Sequence, residues 1–424
     1  MKNYFHVELR TLLIAAISCL VIANAGFAHP ASPFGTTLRE QVGVNIHFTD
    51  ARPGEMQMLS DAGFGFVRMD FVWQDTEKQP GVYNFSAYDR LLANLEAHKM
   101  RALWILDYGN PLYDGGKQPY SDSARADFAA WAVAGVRHFA GHRILWEMWN
   151  EPNGSWSAPD YIKLDLTVAQ ALKKAEPSET FIGPAEAGTD VNFLNSCFKA
   201  GTLSDWQAVS VHPYRTDAPE TARPEYAAIR AAIAAFEPVG ADIPVISGEW
   251  GYSVMPNGHT YSFVISDDQQ AAYFDREILT NAVDGIPLSI WYDWHNDSDN
   301  PSDTEGNFGL VRYPYHADRN PVYDPKPSYL AAKTMLGLLG NYEFSRVVPM
   351  SGPPDAILLS FKSRRDHRYA AYTTSSSPEQ VTLPIPAGRY SVIGMTGDVN
   401  GIVNCGHQGL SVMLTADPQF IVRQ

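Results

Sequence analysis

The sequence predicts an α/β fold, a TIM (β/α)8 barrel followed by a small C-terminal antiparallel β-sandwich. Short β-rich runs alternate with longer helical patterns from Gln41 to Leu339, and the alternation repeats often enough to supply eight strand–helix units over roughly 300 residues. Beyond Asn341 the helical periodicity stops, leaving only short β runs separated by Gly, Pro, Asp and Ser. An open doubly wound sheet is the alternative architecture for the first part.

The first strand is predicted at 42–46 and its helix at 54–62, stopped by Gly63, a residue suited to the left-handed end of a helix. Residues 64–70 make the second strand, with a helix over 88–99 whose Leu91, Leu92 and Leu95 share one side. The third strand is 101–107, a helix follows at 122–139, and the fourth strand is 144–149. Tyr161, Leu164, Val168, Leu172 and Ala175 mark one face of the next helix, which ends at Glu176-Pro177. The fifth strand, 181–183, is short and the sixth is 208–211; an Ala-rich helix covers 224–236. A seventh strand at 244–247, a helix at 268–282, an eighth strand at 288–292 and a closing helix at 327–339 complete the series. In the last part, β runs are expected at 346–349, 356–362, 368–374, 380–384, 389–395 and 410–414, joined by residues that follow the leader. The domains are accordingly 29–340 and 341–424.

Residues 1–28 read as a secretory signal peptide. Lys2 and Arg10 precede an apolar run over 12–23, with Ala25 and Ala28 as alternative cleavage points. An uncleaved anchor is the other reading, although the run is short for a membrane span; a lipid on Cys19 fits less well. The expected location is therefore periplasmic or secreted, with no membrane contact after cleavage. The formal charge of -15 argues against nucleic acid and anionic membranes as partners, because neutralising phosphates needs clustered Lys and Arg. A neutral oligosaccharide or polysaccharide is compatible with that charge, and the chain is expected to work as a monomer. After cleavage Cys197 and Cys405 are the remaining cysteines, and whether they pair is left open. No Cys/His cluster has metal-ligand spacing and no Gly-rich phosphate loop occurs, so neither metal nor cofactor is expected. The acidic run at 295–300 lacks the glycine of a calcium loop and reads as solvated.

In a barrel of this kind function collects at the C-terminal ends of the strands. His47, Arg68, Asp70, Trp104, Asp107, Asn150, Glu151, His212, Tyr214, Glu249, Trp250 and Trp291 all fall there. Glu151 follows Trp149-Asn150 and precedes the turn formers Pro152-Asn153-Gly154; Glu249 follows Val245-Ile246-Ser247-Gly248 and precedes Trp250-Gly251. Two carboxylates on strands nearly opposite each other suit glycoside hydrolysis, one protonating the leaving oxygen and one acting at the anomeric carbon. Neighbouring indoles favour the protonated form of Glu151 and can stack on sugar rings. A separation of about 5–5.5 Å makes the second carboxylate a nucleophile and retains configuration, whereas about 6.5–9.5 Å leaves room for water and inverts. Taken alone, Glu151 also suits a helix cap or surface turn. Glu147 lies deeper on the same strand and is expected to be a hydrogen-bonded core carboxylate; Asp107, Asp114 and Asp293 are weaker candidates for substrate contact.

Asn150-Glu151-Pro152, His212-Pro213-Tyr214, Glu249-Trp250-Gly251, Arg68 and Trp291 together resemble the retaining glycosidases of glycoside hydrolase clan A. With the β-sandwich and the leader, Trp149-Asn150-Glu151-Pro152-Asn153 is most similar to family 39, and within it to bacterial endoglycosidases that cut exopolysaccharide. The resemblance implies Glu151 as general acid/base and Glu249 as nucleophile. It further implies Asn150 on the sugar 2-hydroxyl, Arg68 and Tyr214 on Glu249, His212 lining the sugar site, and Trp291 beneath the reacting ring. His47, Trp104 and Trp250 complete the expected substrate contacts. The expectation is a retaining, cofactor-free β-glycoside hydrolase, endo-acting because aromatics are spread along several loops. The alternatives are an exo-acting enzyme of the xylosidase type, a transglycosylase using the same residues, and a noncatalytic glycan-binding barrel.

Overall fold

The computed structural model describes residues 32–256 and 262–424. The expected leader, with Cys19 and both cleavage points, lies outside them, as does part of the loop at 251–267. Eight strand positions carry the first part: β1 (Val42–Asn45), β2 (Phe66–Val72), β3 (Arg101–Asp107), β4 (Leu145–Met148), a divided β5 (Thr180–Ile182, then Glu186–Ala187), β6 (Val209–His212), β7 (Val245–Trp250) and β8 (Ser289–Trp291). All neighbours pair in parallel, and β1 sits between β2 and β8, so the sheet curls round. The first piece of β5 pairs with β4 and the second with β6, which brings the two ends of the sheet to one broken strand.

A helix follows each strand: α1 (Glu55–Ala62), α2 (Ser86–Ala97), α3 (Asp122–His138), α4 (Ala158–Ala175), α5 (Val191–Lys199), α6 (Arg223–Ala234), α7 (Asp267–Val283) and α8 (Pro327–Leu339). Helix starts are fixed by side chains that accept the otherwise orphaned amides: Ser121, Ser157, Asp190 and Ser266 do so for α3, α4, α5 and α7. Helix α5 was not anticipated, because it has only 9 residues and follows the weakest strand. Gly63 ends α1 at φ 95°, as its place in the sequence predicted. The described helices include none long and apolar enough to cross a membrane.

Strand parity divides the core. Phe66, Leu103, Ile105, Leu145, Ile182, Ala208, Ile246 and Ile290 form a cluster inside the barrel, whereas Val67, Trp104, Trp146 and Trp291 face the helices. On that outer side Phe71 stacks on Trp104 and Trp131 at centroid distances of 5.6 and 5.4 Å.

The C-terminal part is antiparallel throughout, with strands β9 (Glu343–Val347), β10 (Ala356–Lys362), β11 (His367–Thr373), β12 (Glu379–Leu383), β13 (Gly388–Ile393), β14 (Val399–Cys405), β15 (Leu410–Leu414) and β16 (Gln419–Arg423). A larger sheet runs β9-β10-β11-β16-β13-β14 and a β12-β15 pair covers one of its faces. Leu358, Ala371, Tyr390 and Ile421 meet Leu383 and Leu410 between the two layers. On the other face Phe361, Tyr372 and Phe420 join the barrel core, and Arg276 of α7 lies 5.7 Å from the Tyr372 ring. Strands β14 and β16 were not predicted. In β14 the run Asn400-Gly401 and Asn404 breaks the alternation because this edge strand is mostly exposed. The described residues from 32 up to β1 add no strand to the C-terminal sheets; Leu38 and Arg39 instead donate backbone bonds to Tyr342 and Gly340. Cys197 and Cys405 are both buried and unpaired with each other.

Candidate active site

The side chains one layer above the apolar barrel interior build the site. Two residues on from Gly43, Phe66, Leu145 and Ala208 come Asn45, Arg68, Glu147 and Ser210, all pointing inward by parity. Arg68, 1% exposed, donates to Glu147 Oε2 at 2.7 Å, Glu249 Oε2 at 2.5 Å, Asn150 Oδ1 at 2.8 Å and Asn45 Oδ1 at 3.3 Å. One fixed cation on β2 thereby orients groups from β1, β4 and β7. Glu147 is fully buried and takes a second hydrogen bond from Ser210, in keeping with a core carboxylate.

Strict alternation from Ile246 would turn Glu249 outward. Between Ser247 and Trp250 the strand carries one more residue than its partner β8, where Ser289 and Trp291 pair with those two positions. This bulge re-aims Glu249 into the mouth and sends Trp250 to the outside. Glycine is required at its centre: a Cβ on Gly248 would come within 2.1 Å of Ser210 Oγ and 2.8 Å of Glu147 Oε1. After β4 the chain uses another device, with Trp149 and Glu151 both left-handed at φ 60° and 48°. Such backbone costs about 1–3 kcal/mol per residue and persists where the surroundings over-determine it.

Glu249, 9% exposed, also accepts from the Tyr214 hydroxyl at 2.7 Å. Burial alone would raise its pKa, but His212, Arg68 and the hydrogen bonds from Tyr214 and Arg68 prevail and hold it below the ordinary glutamate value. Glu151 lies 2.9 Å from Nδ1 of the buried His212, whose Nε2 faces Arg68 Nη2 at 3.3 Å. His212 thus links Glu151 to the Arg68 guanidinium. Ligand-type atoms of Glu151, His212 and Glu249 all lie within 4.8 Å of one another. Such close approach is in keeping with the short class of paired carboxylates, in which the second acts as nucleophile.

The other side of the mouth is acidic. His47 Nε2 faces Asp293 Oδ2 at 3.4 Å, and Asp297 joins them within 4.8 Å, a spacing that would also suit a cation. Partial desolvation would lower the pKa of His47, whose side chain is 39% exposed, yet Asp293, Asp297 and Asp70 raise it to about 9. Asp293 is pushed up to about 6 by its own burial. Asp107 is fully buried beside Asp70, and both are shifted upward by desolvation, Asp107 the more strongly. Asp114 stays in its loop, bonded to Ser121.

Three expected aromatic contacts are not in the mouth. Trp104, Trp250 and Trp291 are each fully buried on the outer side of the sheet: Trp104 lies against Phe71, Trp250 under the Arg215 guanidinium at 5.2 Å, and Trp291 against Phe274 of α7 at 5.1 Å. Parity is the reason for Trp104 and Trp291, and the bulge for Trp250. The aromatic that follows Ile290 on the inward face is Tyr292, which the sequence reading did not single out although counting by two would have found it. Its ring sits 5.6 Å from His47 and 5.3 Å from Phe308. Asn45, Ser210 and Tyr108 were also missed; Tyr108 lies edge-on to Trp149 at 5.7 Å and bonds Asn150.

The family model described as Cellulase (glycosyl hydrolase family 5) matches residues 38–298. The chain belongs to that family. Among curated proteins none matches. Solved structures with the same fold include a family 39 glycoside hydrolase from Bacteroides cellulosilyticus WH2, at 24% identity over 92% of this chain and 81% of that one, TM-score 0.78. A family 39 enzyme from Xanthomonas axonopodis pv. citri is 18% identical over 92% of this chain and 95% of its own, TM-score 0.66. A family 39 β-xylosidase from Caulobacter crescentus is 18% identical over 90% and 95%, TM-score 0.64. This family 5 chain is a glycoside hydrolase acting by a retaining double displacement, so the alternative of a noncatalytic barrel falls away.

Proposed function

We propose that the protein is an exo-acting β-glycosidase of the xylosidase type, with Glu151 as general acid/base and Glu249 as nucleophile. The observation that carries the residue roles is the 4.8 Å convergence of Glu151, His212 and Glu249, with Glu249 alone held by both Arg68 and Tyr214. In the first step Glu151 gives its proton to the glycosidic oxygen while a Glu249 oxygen bonds the anomeric carbon and the leaving alcohol departs. In the second, Glu151 removes a proton from water, water bonds the same carbon and Glu249 leaves, so configuration is kept. In this reading Asn150, held by Arg68, bonds the sugar 2-hydroxyl, and Tyr292 rather than Trp291 lies against the reacting sugar.

The exo reading rests on two supports. Of the tryptophans near the strand ends that could have carried a long glycan, Trp73, Trp104, Trp250 and Trp291 are all fully buried. His47, Tyr292, Phe308 and Tyr214 form a chain of ring contacts that walls one side of the mouth. The family 39 affinity is part of the proposal, because those structures match across the C-terminal sheets while the family 5 match ends at residue 298. Export and a monomeric working state belong to it too, on the sequence grounds given above. The test is NMR of the products from an aryl β-xyloside and from a β-linked xylo-oligosaccharide. The β anomer of free xylose should appear first, with substrates shortened one unit at a time. Initial α anomer would refute the mechanism; internal fragments without early monosaccharide would refute exo action in favour of the endo reading.

A further inference from the structure

The C-terminal sheets hold a second, separate cavity of about 480 Å³, within the usual range of about 300–1,000 Å³ for small-ligand sites. Register explains its floor. Arg346 of β9 pairs with Ser360 of β10, and Ser360 with Tyr369 of β11, so the three stand in one row across neighbouring strands. The row lies on the face covered by the β12-β15 pair, at the end where that cover gives way to Pro384-Ile385-Pro386 and the turn His407-Gln408-Gly409.

The lining has an unusual charge for this chain. The whole molecule carries a formal charge of -15, yet the exposed Arg346 lines the cavity with two imidazoles, His407 and His367, the latter 3.3 Å from Ser360 Oγ, and among the described residues no carboxylate does. Surface cations are ordinarily interspersed with acids, as Lys362 is with Glu343 beside it. The side chains of Arg346 and His407 make no hydrogen bond or ion pair among the described residues, and the Tyr369 hydroxyl, on a residue 8% exposed, has no partner there either. Arg423 adds to the positive field, since it and Arg346 both act on the Tyr369 phenol. An unpaired guanidinium and two imidazoles around a phenol, with prolines at the rim, combine an anion site with a surface for a sugar ring.

We propose that this cavity binds one acidic sugar residue of a glycan chain, its anionic group against Arg346 and the imidazoles and its ring against Tyr369 and Pro384. The site would anchor an acidic glycan independently of the barrel mouth. The test is calorimetric titration of the full chain with methyl β-glucuronide, methyl β-glucoside, inorganic sulfate and inorganic phosphate. Saturable binding of the glucuronide is expected, with the glucoside at least tenfold weaker. Arg346→Ala should weaken glucuronide binding tenfold or more, Arg346→Lys by only a few-fold, and both should hydrolyse an aryl β-xyloside like the parent. His407→Ala provides a second, milder loss if Arg346→Ala does not fold. Absent glucuronide binding, equal binding of the glucoside, or glucuronide binding untouched by Arg346→Ala and His407→Ala would each overturn the proposal. Sulfate or phosphate binding as tightly as the glucuronide, and displacing it, would reduce the cavity to a simple anion site and overturn the saccharide assignment.

Discussion

Arg68→Met is the perturbation that probes the site most directly. Methionine keeps the apolar stem and removes a guanidinium that stands between Glu147 and Glu249 at 2.7 and 2.5 Å. Both carboxylates are then buried without their main cation, and breaking a buried pair in this way costs about 3–5 kcal/mol. An unfolding entropy of about 2.1 cal/mol/K per residue gives roughly 0.9 kcal/mol/K for a chain of this length. The melting temperature should therefore fall by about 3–6 °C. Glu147→Gln in the same chain removes one of the stranded charges while keeping its shape, so the double variant should melt above the Arg68→Met single. The pH dependence has a definite sign. Glu249 has a depressed pKa in the folded chain, so its contribution to stability is present above the unfolded value and lost as pH falls through the folded one. In Arg68→Met the ionised carboxylates destabilise instead, and the deficit should be largest near neutrality and shrink on acidification. Calorimetric melts of the four variants of the cycle between pH 4 and 8 measure all of this. A single variant melting within about 1 °C of the parent, or a double variant showing the full sum of the two losses, would refute the central role given to Arg68.

Glu249→Ala should lower kcat/KM for an activated aryl glycoside by about 10⁴ or more, with azide restoring turnover and yielding the inverted glycosyl azide; unchanged activity would remove Glu249 as nucleophile. Tyr292→Ala should raise KM for the same substrate tenfold or more, whereas Trp291→Phe should leave KM within about twofold and cost about 1–3 kcal/mol of stability, measured by denaturant titration. The reverse pattern would return Trp291 to the sugar site. His47, raised to about 9 mainly by Asp293 against its own burial, contributes stability that is full below about pH 6.5 and lost as pH rises through about 9. The melting difference between the parent and His47→Gln should therefore narrow from pH 7 to about pH 9.5, and a constant difference would contradict the pairing with Asp293.

The sequence alone determined the alternation of strand and helix, the change of texture near residue 341, and the strand ends on which Glu151, Glu249, Arg68, Asn150, His212 and Tyr214 sit, because periodicity and turn chemistry are local properties. Tertiary structure decided which way those residues face. Trp104 and Trp291 stand at strand ends as predicted, but parity set by the apolar interior turns them to the helices and leaves Tyr292 at the mouth. Glu249 reaches Glu151 only because β7 carries one residue more than β8 pairs with, and no single strand records that mismatch. The row Arg346, Ser360 and Tyr369 likewise exists only through register across three strands drawn from separate parts of the chain. Local sequence fixes what a segment becomes; pairing with distant segments fixes what it confronts.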